Sequence, residues 1–306
     1  MNKFDVIIIG AGPAGMNTAL YTQRSHLKTL ILDKGMYGGQ LNNTLEVENY
    51  IGVGKISGME LAESMYQQIE ELGVEYQYGE LVSITKEGDL FTVVTDVETY
   101  QSYSVVIATG TEHRKLGIQG ELEYSGKGVS YCAICDGAFF KDGKIVVVGG
   151  GDSALEEGEY LTNYGKTVSL IHRRDKLRGT KILQDRFINK ENTELIFNSQ
   201  VTNIIGDGSS VTHVELTDVD GNITKHEANG VFIYIGLDPN TKQLLDLGIT
   251  DSEGYVLTDD KMQTNISGLF AVGDVRKKEL RQIATAVGDG SICGTSIYNY
   301  ITKLKD

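Results

Sequence analysis

The chain is short of cysteine, proline and positive charge, and it has no long apolar run. Three cysteines in 306 residues cannot form the disulfide framework of a secreted domain, so any pair among them points to catalysis or metal binding. With 28 Lys and Arg against 42 Asp and Glu, the net charge is -14. That balance argues against a surface built for nucleic acid or anionic lipid, because phosphate needs a positive patch. A local basic cluster can still hold one phosphorylated small molecule. No stretch approaches the roughly 18 to 20 apolar residues of a membrane span. The apolar start of "MNKFDVIIIGAG" follows Asp5 and runs into a glycine turn, which predicts a strand, not a signal peptide, and hence a cytoplasmic protein. Of the two prolines, Pro239 stands at an expected crossing between domains.

What is present is one pattern written twice. The segment "FDVIIIGAGPAGMNTALYTQRSHLKTLILDKG" runs strand, glycine turn, helix and second strand, a βαβ unit. Gly10, Gly12 and Gly15 give G-x-G-x-x-G straight after the first strand, the spacing that lets backbone approach a pyrophosphate at a helix N-terminus. Asp33 ends the second strand, where an acidic side chain accepts hydrogen bonds from a ribose. The segment "GKIVVVGGGDSALEEGEYLTNYGKTVSLIHRRDKLRG" repeats the unit with Gly149, Gly151 and Ala154. Its second strand ends differently, in "HRRDKLR". Arg173, Arg174 and Arg178 there suit a 2′-phosphate through charge-assisted, bidentate hydrogen bonds, which an acidic residue would repel. The first unit therefore suits an unphosphorylated adenosine ribose and the second suits NADPH. A single glycine turn is equally a tight strand-to-helix connection, and the arginines alone equally a solvated helix start. The two turns together, with opposite charge at the second strand, favour nucleotide binding.

Each half closes with an apolar strand ending in glycine, "YSVVIATG" and "NGVFIYIG". The tail "GLFAVGDVRKKELRQIATAVGDGSICGTSIYNY" carries one strand and one helix, too little for an independent domain. The expected fold is α/β: two Rossmann-like nucleotide-binding domains, the second inserted into a discontinuous first. The expected boundaries are 1–113 with 241–306 for the discontinuous domain and 114–240 for the inserted one. Crossings lie near 110–119 and 236–241.

Cys132 and Cys135 in "VSYCAICDGAFF" form a CxxC, which is a redox couple, half of a metal site or an accident of composition. Structural zinc wants four ligands. No second CxxC exists, and His26, His113, His172, His213 and His226 are scattered, which argues against metal. At a helix N-terminus a CxxC thiol has a lowered pKa, and only the thiolate attacks a disulfide. Asp136 is either a proton carrier beside the pair or half of an Asp-Gly turn with Gly137. Cys293 lacks a partner at short spacing and reads as a small packed side chain.

These motifs, with "GGQL" at 38–41, "GGGDSALEEG" at 149–158 and "GDVRKKELRQI" at 273–283, closely resemble the bacterial low-molecular-weight thioredoxin reductases over essentially the whole chain. The resemblance implies a homodimeric flavoprotein that passes electrons from NADPH through FAD and the dithiol to thioredoxin. It places Gly12, Ala14, Asp33, Gly39, Gln40, Asn49, Asp274, Arg281, Gln282 and Ile283 at FAD. Asp152, Ser153 and His172 join the second glycine turn and the arginines at NADPH. It also implies that Cys135 takes electrons from the flavin, that Cys132 attacks thioredoxin, and that the domains rotate between half-reactions. The sequence departs from the family at "ENYIG", where Ile51 stands in place of a common proline.

Overall fold

A computed structural model describes residues 2–44 and 47–305. The chain forms, in order, β1 (Asn2–Ile9), α1 (Pro13–Arg24), β2 (Thr29–Asp33), α2 (Gly58–Glu71), β3 (Glu75–Tyr78), β4 (Leu81–Glu87), β5 (Leu90–Thr95), β6 (Thr99–Ile107) and β7 (Thr111–His113). It continues through β8 (Val129–Ser130), α3 (Ala133–Asp136), β9 (Lys144–Gly149), α4 (Asp152–Leu161), β10 (Thr167–Ile171), α5 (Lys181–Ile188) and β11 (Thr193–Ile196). β12 (Ser199–Gly206), β13 (Val211–Asp218), β14 (Ile223–Glu227), β15 (Gly230–Tyr234), β16 (Leu237–Pro239), β17 (Leu269–Ala271) and α6 (Ile283–Lys305) complete it.

Two compact units result, Met1–Glu112 with Asp238–Asp306, and His113–Leu237. In the discontinuous unit β3, β2, β1 and β6 lie side by side in parallel, and β17 adds a parallel strand along β6. β4 and β5 extend the same sheet as an antiparallel meander. A parallel strand covered on both faces must be apolar on both, and "VIII" of β1 shows how. Ile7 and Ile9 pack into one core with Val105 and Ile107, while Val6 and Ile8 pack into the other with Val106 and Phe270. Truncating any one of them to alanine would cost about 2–5 kcal/mol.

The return of the tail to this unit rests on small residues. A Cβ on Gly290 would stand 2.7 Å from the Ala14 carbonyl oxygen, and one on Gly294 would stand 2.4 Å from Tyr21 Cβ, so α6 lies hard against α1. Asn17 on α1 ties the pair together by donating Nδ2 to the Val287 carbonyl at 2.7 Å and to Ser291 Oγ at 2.8 Å.

The inserted unit repeats the plan with the parallel order β11-β10-β9-β15-β8, and β12, β13 and β14 form a separate antiparallel sheet. The faces of β9 alternate as those of β1 do, Ile145 and Val147 into one core, Val146 and Val148 into another. The crossing strands β7 and β16 pair with each other. Among the described residues no helix is long and apolar enough to cross a membrane.

Candidate functional site

Both glycine turns are built alike. A Cβ on Gly10, whose φ is +112°, would lie 2.2 Å from the Ala108 carbonyl oxygen, and one on Gly149 would lie 2.5 Å from that of Tyr234. The first glycine thus lets the turn sit against the neighbouring strand. The middle glycines differ: Cβ atoms on Gly12 and Gly151 would meet nothing within 4 Å. Each caps a helix, α1 or α4, without a side-chain hydrogen bond, so the helix N-termini present amides to open space that suits a pyrophosphate. Gly15 and Ala154 both complete the turns from inside, a Cβ on Gly15 meeting the Gly10 carbonyl at 2.0 Å and Ala154 lying fully buried.

In the discontinuous unit, Asp33 accepts the Ala11 N–H at 2.7 Å and the Gly35 N–H at 2.9 Å, one on each carboxylate oxygen. It fixes the turn and retains lone pairs for hydroxyl donors. The "GGQL" loop folds onto the first turn, a Cβ on Gly39 falling 3.2 Å from Gly12 Cα, and Gln40 donates Nε2 to the Thr111 carbonyl at 2.8 Å. Asn49 and Gln282, far apart in sequence, meet at 3.1 Å, next to Ile283 at the start of α6. Gly273 lies against Ala14, which brings Asp274 to the N-terminal end of α1.

Asp274 is the informative residue here. Its Oδ1 is buried and makes no hydrogen bond among the described residues, Lys278 Nζ standing 3.9 Å away. Burial, the largest effect, raises its pKa above the usual carboxylate value. A buried acceptor without a donor is costly, so this atom suits a hydroxyl-bearing ligand such as the ribityl chain of FAD. Arg281 donates Nε to the Asp274 carbonyl at 3.2 Å and lies 4.2 Å over the Tyr255 ring. Sequence reasoning missed Asp289 beneath this site. It is buried and accepts from Arg276 at 2.8 Å, Lys278 at 3.0 Å and the Gly273 N–H at 3.0 Å.

In the inserted unit, Arg173, Arg174 and Arg178 are exposed, and none is in an ion pair among the described residues. The Arg178 N–H donates to the Gly150 carbonyl at 2.7 Å, folding the basic segment onto the glycine turn. Asp152 pins the same segment by accepting the Thr180 N–H at 2.6 Å, while Ser153 stays exposed. His172 is 4% exposed and packs against Gly150. Burial first, and then Arg178, holds its pKa below the ordinary histidine value.

Cys132 and Cys135 form a disulfide with Cα atoms 5.4 Å apart. Cys132 is the N-cap of α3, and its Sγ accepts the Cys135 N–H at 3.2 Å. Ser130 Oγ receives the Cys132 N–H at 3.0 Å. Cys135 is exposed, whereas Cys132 and Asp136 are half-buried. Glu157 was not singled out in sequence: its Oε2 accepts the Ala133 N–H at 2.9 Å and the Tyr234 hydroxyl at 2.7 Å. The available signal was an acidic residue three places from Ala154 on the face of α4 that buries Ala154, Gly158 and Leu161. Cys293 is fully buried on α6, as a packed side chain should be.

Residues 4–290 match the family described as pyridine nucleotide-disulphide oxidoreductase. The chain is 54% identical over 304 residues to a thioredoxin reductase of Listeria innocua, covering 99% of this chain and 95% of that protein. It is 47% identical over 304 residues to a thioredoxin reductase of Bacillus subtilis, covering 99% and 96%. Among solved structures, a thioredoxin reductase of Lactococcus lactis superposes with a TM-score of 0.97 at 50% identity, covering 98% of this chain and 99% of that one.

Proposed function

Because the chain belongs to the pyridine nucleotide-disulphide oxidoreductase family, we propose that it is an NADPH-dependent thioredoxin reductase whose electrons leave through the Cys132–Cys135 dithiol. Bound FAD would supply the hydride and two-electron chemistry that links NADPH to the disulfide. The discontinuous unit holds FAD through the Gly12 turn, Asp33, Gly39, Gln40, Asn49, Asp274 and the backbone of Arg281 to Ile283. The inserted unit holds NADPH through the Gly151 turn and places Arg173, Arg174 and Arg178 at its 2′-phosphate.

The observation that carries this reading is the placement of the disulfide at the N-terminal turn of α3, with Cys132 Sγ accepting the Cys135 N–H. That amide stabilises a thiolate on Cys132 once the disulfide is reduced. The Cys132 thiolate then attacks the thioredoxin disulfide, displacing one of its sulfurs and forming a mixed disulfide. Cys135 attacks Cys132 in turn, which restores the disulfide and releases thioredoxin with two more electrons and two protons. Asp136 exchanges a proton with the pair as it opens and closes. The reading further places the protein in the cytoplasm as a homodimer whose units reorient during turnover.

The test is NADPH oxidation by the purified protein with oxidised thioredoxin, and with reduced ferredoxin in place of NADPH. Turnover with NADPH and thioredoxin is expected. Thioredoxin reduction from ferredoxin alone would overturn the assignment of the donor. Sedimentation of the holoprotein reads the dimer.

A further inference from the structure

Glu157 sits where a carboxylate is expensive to keep. The face of α4 around it buries Ala154, Leu155, Gly158 and Leu161, and no ion pair includes Glu157 among the described residues. Among the described residues its Oε2 is met by two neutral donors, the Ala133 N–H at 2.9 Å and the hydroxyl of Tyr234, itself 5% exposed. Burial raises the carboxyl pKa, and these two hydrogen bonds oppose the rise. Ala133 is the first residue of α3 after the Cys132 cap, so Glu157 occupies one of the amides at the very end of the helix that stabilises a thiolate.

We propose that Glu157 is a positioning residue for the dithiol: it anchors the first turn of α3 and biases the cysteine pair toward the disulfide. The inference rests on the reductase reading above. The disulfide carries no charge, but its reduction creates a thiolate that must share the positive end of α3 with a fixed carboxylate. Like charges at one helix end disfavour the reduced form, which makes the dithiol a stronger electron donor. The other titratable groups near this pair do not cancel the effect. Asp136 is a further acidic residue near Tyr234, and burial drives His113, whose ring centroid is 6.1 Å from that of Tyr234, toward its neutral form.

The test equilibrates the FAD-loaded, full-length protein with mixtures of reduced and oxidised dithiothreitol, then alkylates free thiols and counts them by mass. In that exchange the Cys132–Cys135 bond breaks, the cyclic dithiothreitol disulfide forms, and two electrons and two protons pass to the cysteines. Glu157→Gln keeps an acceptor for the Ala133 N–H and removes the charge. It should shift the equilibrium about tenfold toward the dithiol, which is about 30 mV. Glu157→Ala should shift it at least as far and also speed hydrogen exchange at the Ala133 amide, which Glu157→Gln should leave protected. Tyr234→Phe withdraws one donor from the carboxylate, reduces its ionisation, and should shift the equilibrium the same way by less; it decides the matter if the Glu157 variants fail to fold. An unchanged exchange constant in Glu157→Gln, or in Tyr234→Phe where that variant stands alone, would overturn the proposal. Neither NADPH nor thioredoxin enters the measurement, so absence of turnover with those partners would count against the reductase reading and leave this result standing.

Discussion

Cys135 donates its backbone N–H to Sγ of Cys132, 3.2 Å away, so the first cysteine of the pair is also the cap of the helix that carries the second. The two sulfurs are therefore unequal before any partner arrives. A Cys135→Ser protein should be trapped through Cys132 as a mixed disulfide with a thioredoxin lacking its resolving cysteine, whereas Cys132→Ser should not. Non-reducing electrophoresis and mass measurement of the adduct check this, and trapping by Cys132→Ser alone would reverse the roles.

Arg173 and Arg174 are solvent-facing guanidinium groups with no protein carboxylate to satisfy them among the described residues. Replacing both with alanine should raise KM for NADPH at least tenfold while changing that for NADH little, since each charge-assisted contact is worth about 1.5–3 kcal/mol. Steady-state kinetics with the two nucleotides measures the split. Equal efficiency with NADH and NADPH in the unaltered protein would count against the assignment.

The first and middle glycines of the second turn should separate folding from binding. Gly149→Ala forces a Cβ to 2.5 Å from the Tyr234 carbonyl oxygen and should lower stability by about 1–3 kcal/mol. Gly151→Ala meets no protein atom within 4 Å, so its melting temperature should hold while KM for NADPH rises. Melting curves and nucleotide titrations on both variants give the comparison.

Asp274 Oδ1 is buried without a hydrogen-bond donor. Asp274→Ala should weaken FAD retention at least tenfold, read as flavin released on dialysis. The same change removes a desolvated carboxylate, so the flavin-free protein should be no less stable. Normal flavin content in Asp274→Ala would remove this residue from the site.

His172 carries the pH prediction. Its folded pKa lies below the ordinary value of about 6.5, chiefly through burial. Above that value it is neutral in both folded and unfolded states and contributes nothing. As pH falls below about 6.5 the unfolded chain binds a proton that the folded one refuses, so stability is lost with acidification. His172→Gln should flatten the decline between about pH 6.5 and 5.5 in urea unfolding. Parallel curves for the two proteins would show that His172 does not contribute to it.

Much of this protein is legible along the chain because its chemistry is written in short spacings. A glycine turn between an apolar strand and a helix, a CxxC, and three arginines at a strand end each place their atoms within a few residues, where local backbone geometry decides the outcome. The alternation of such units, with a tail too small to stand alone, likewise points to two nucleotide-binding folds in one discontinuous chain. Tertiary structure decided what joins distant residues. Asn49 meets Gln282, Asp289 gathers Arg276 and Lys278 under Asp274, and Glu157 on α4 reaches the amide of Ala133 on α3. Glu157 is one of 42 acidic residues. Its sequence context differs little from that of Glu159, which pairs on the surface with Lys190. Only packing of α4 against α3 and β15 separates them, because the position of a donor amide belongs to the assembled core and has no local sequence signature.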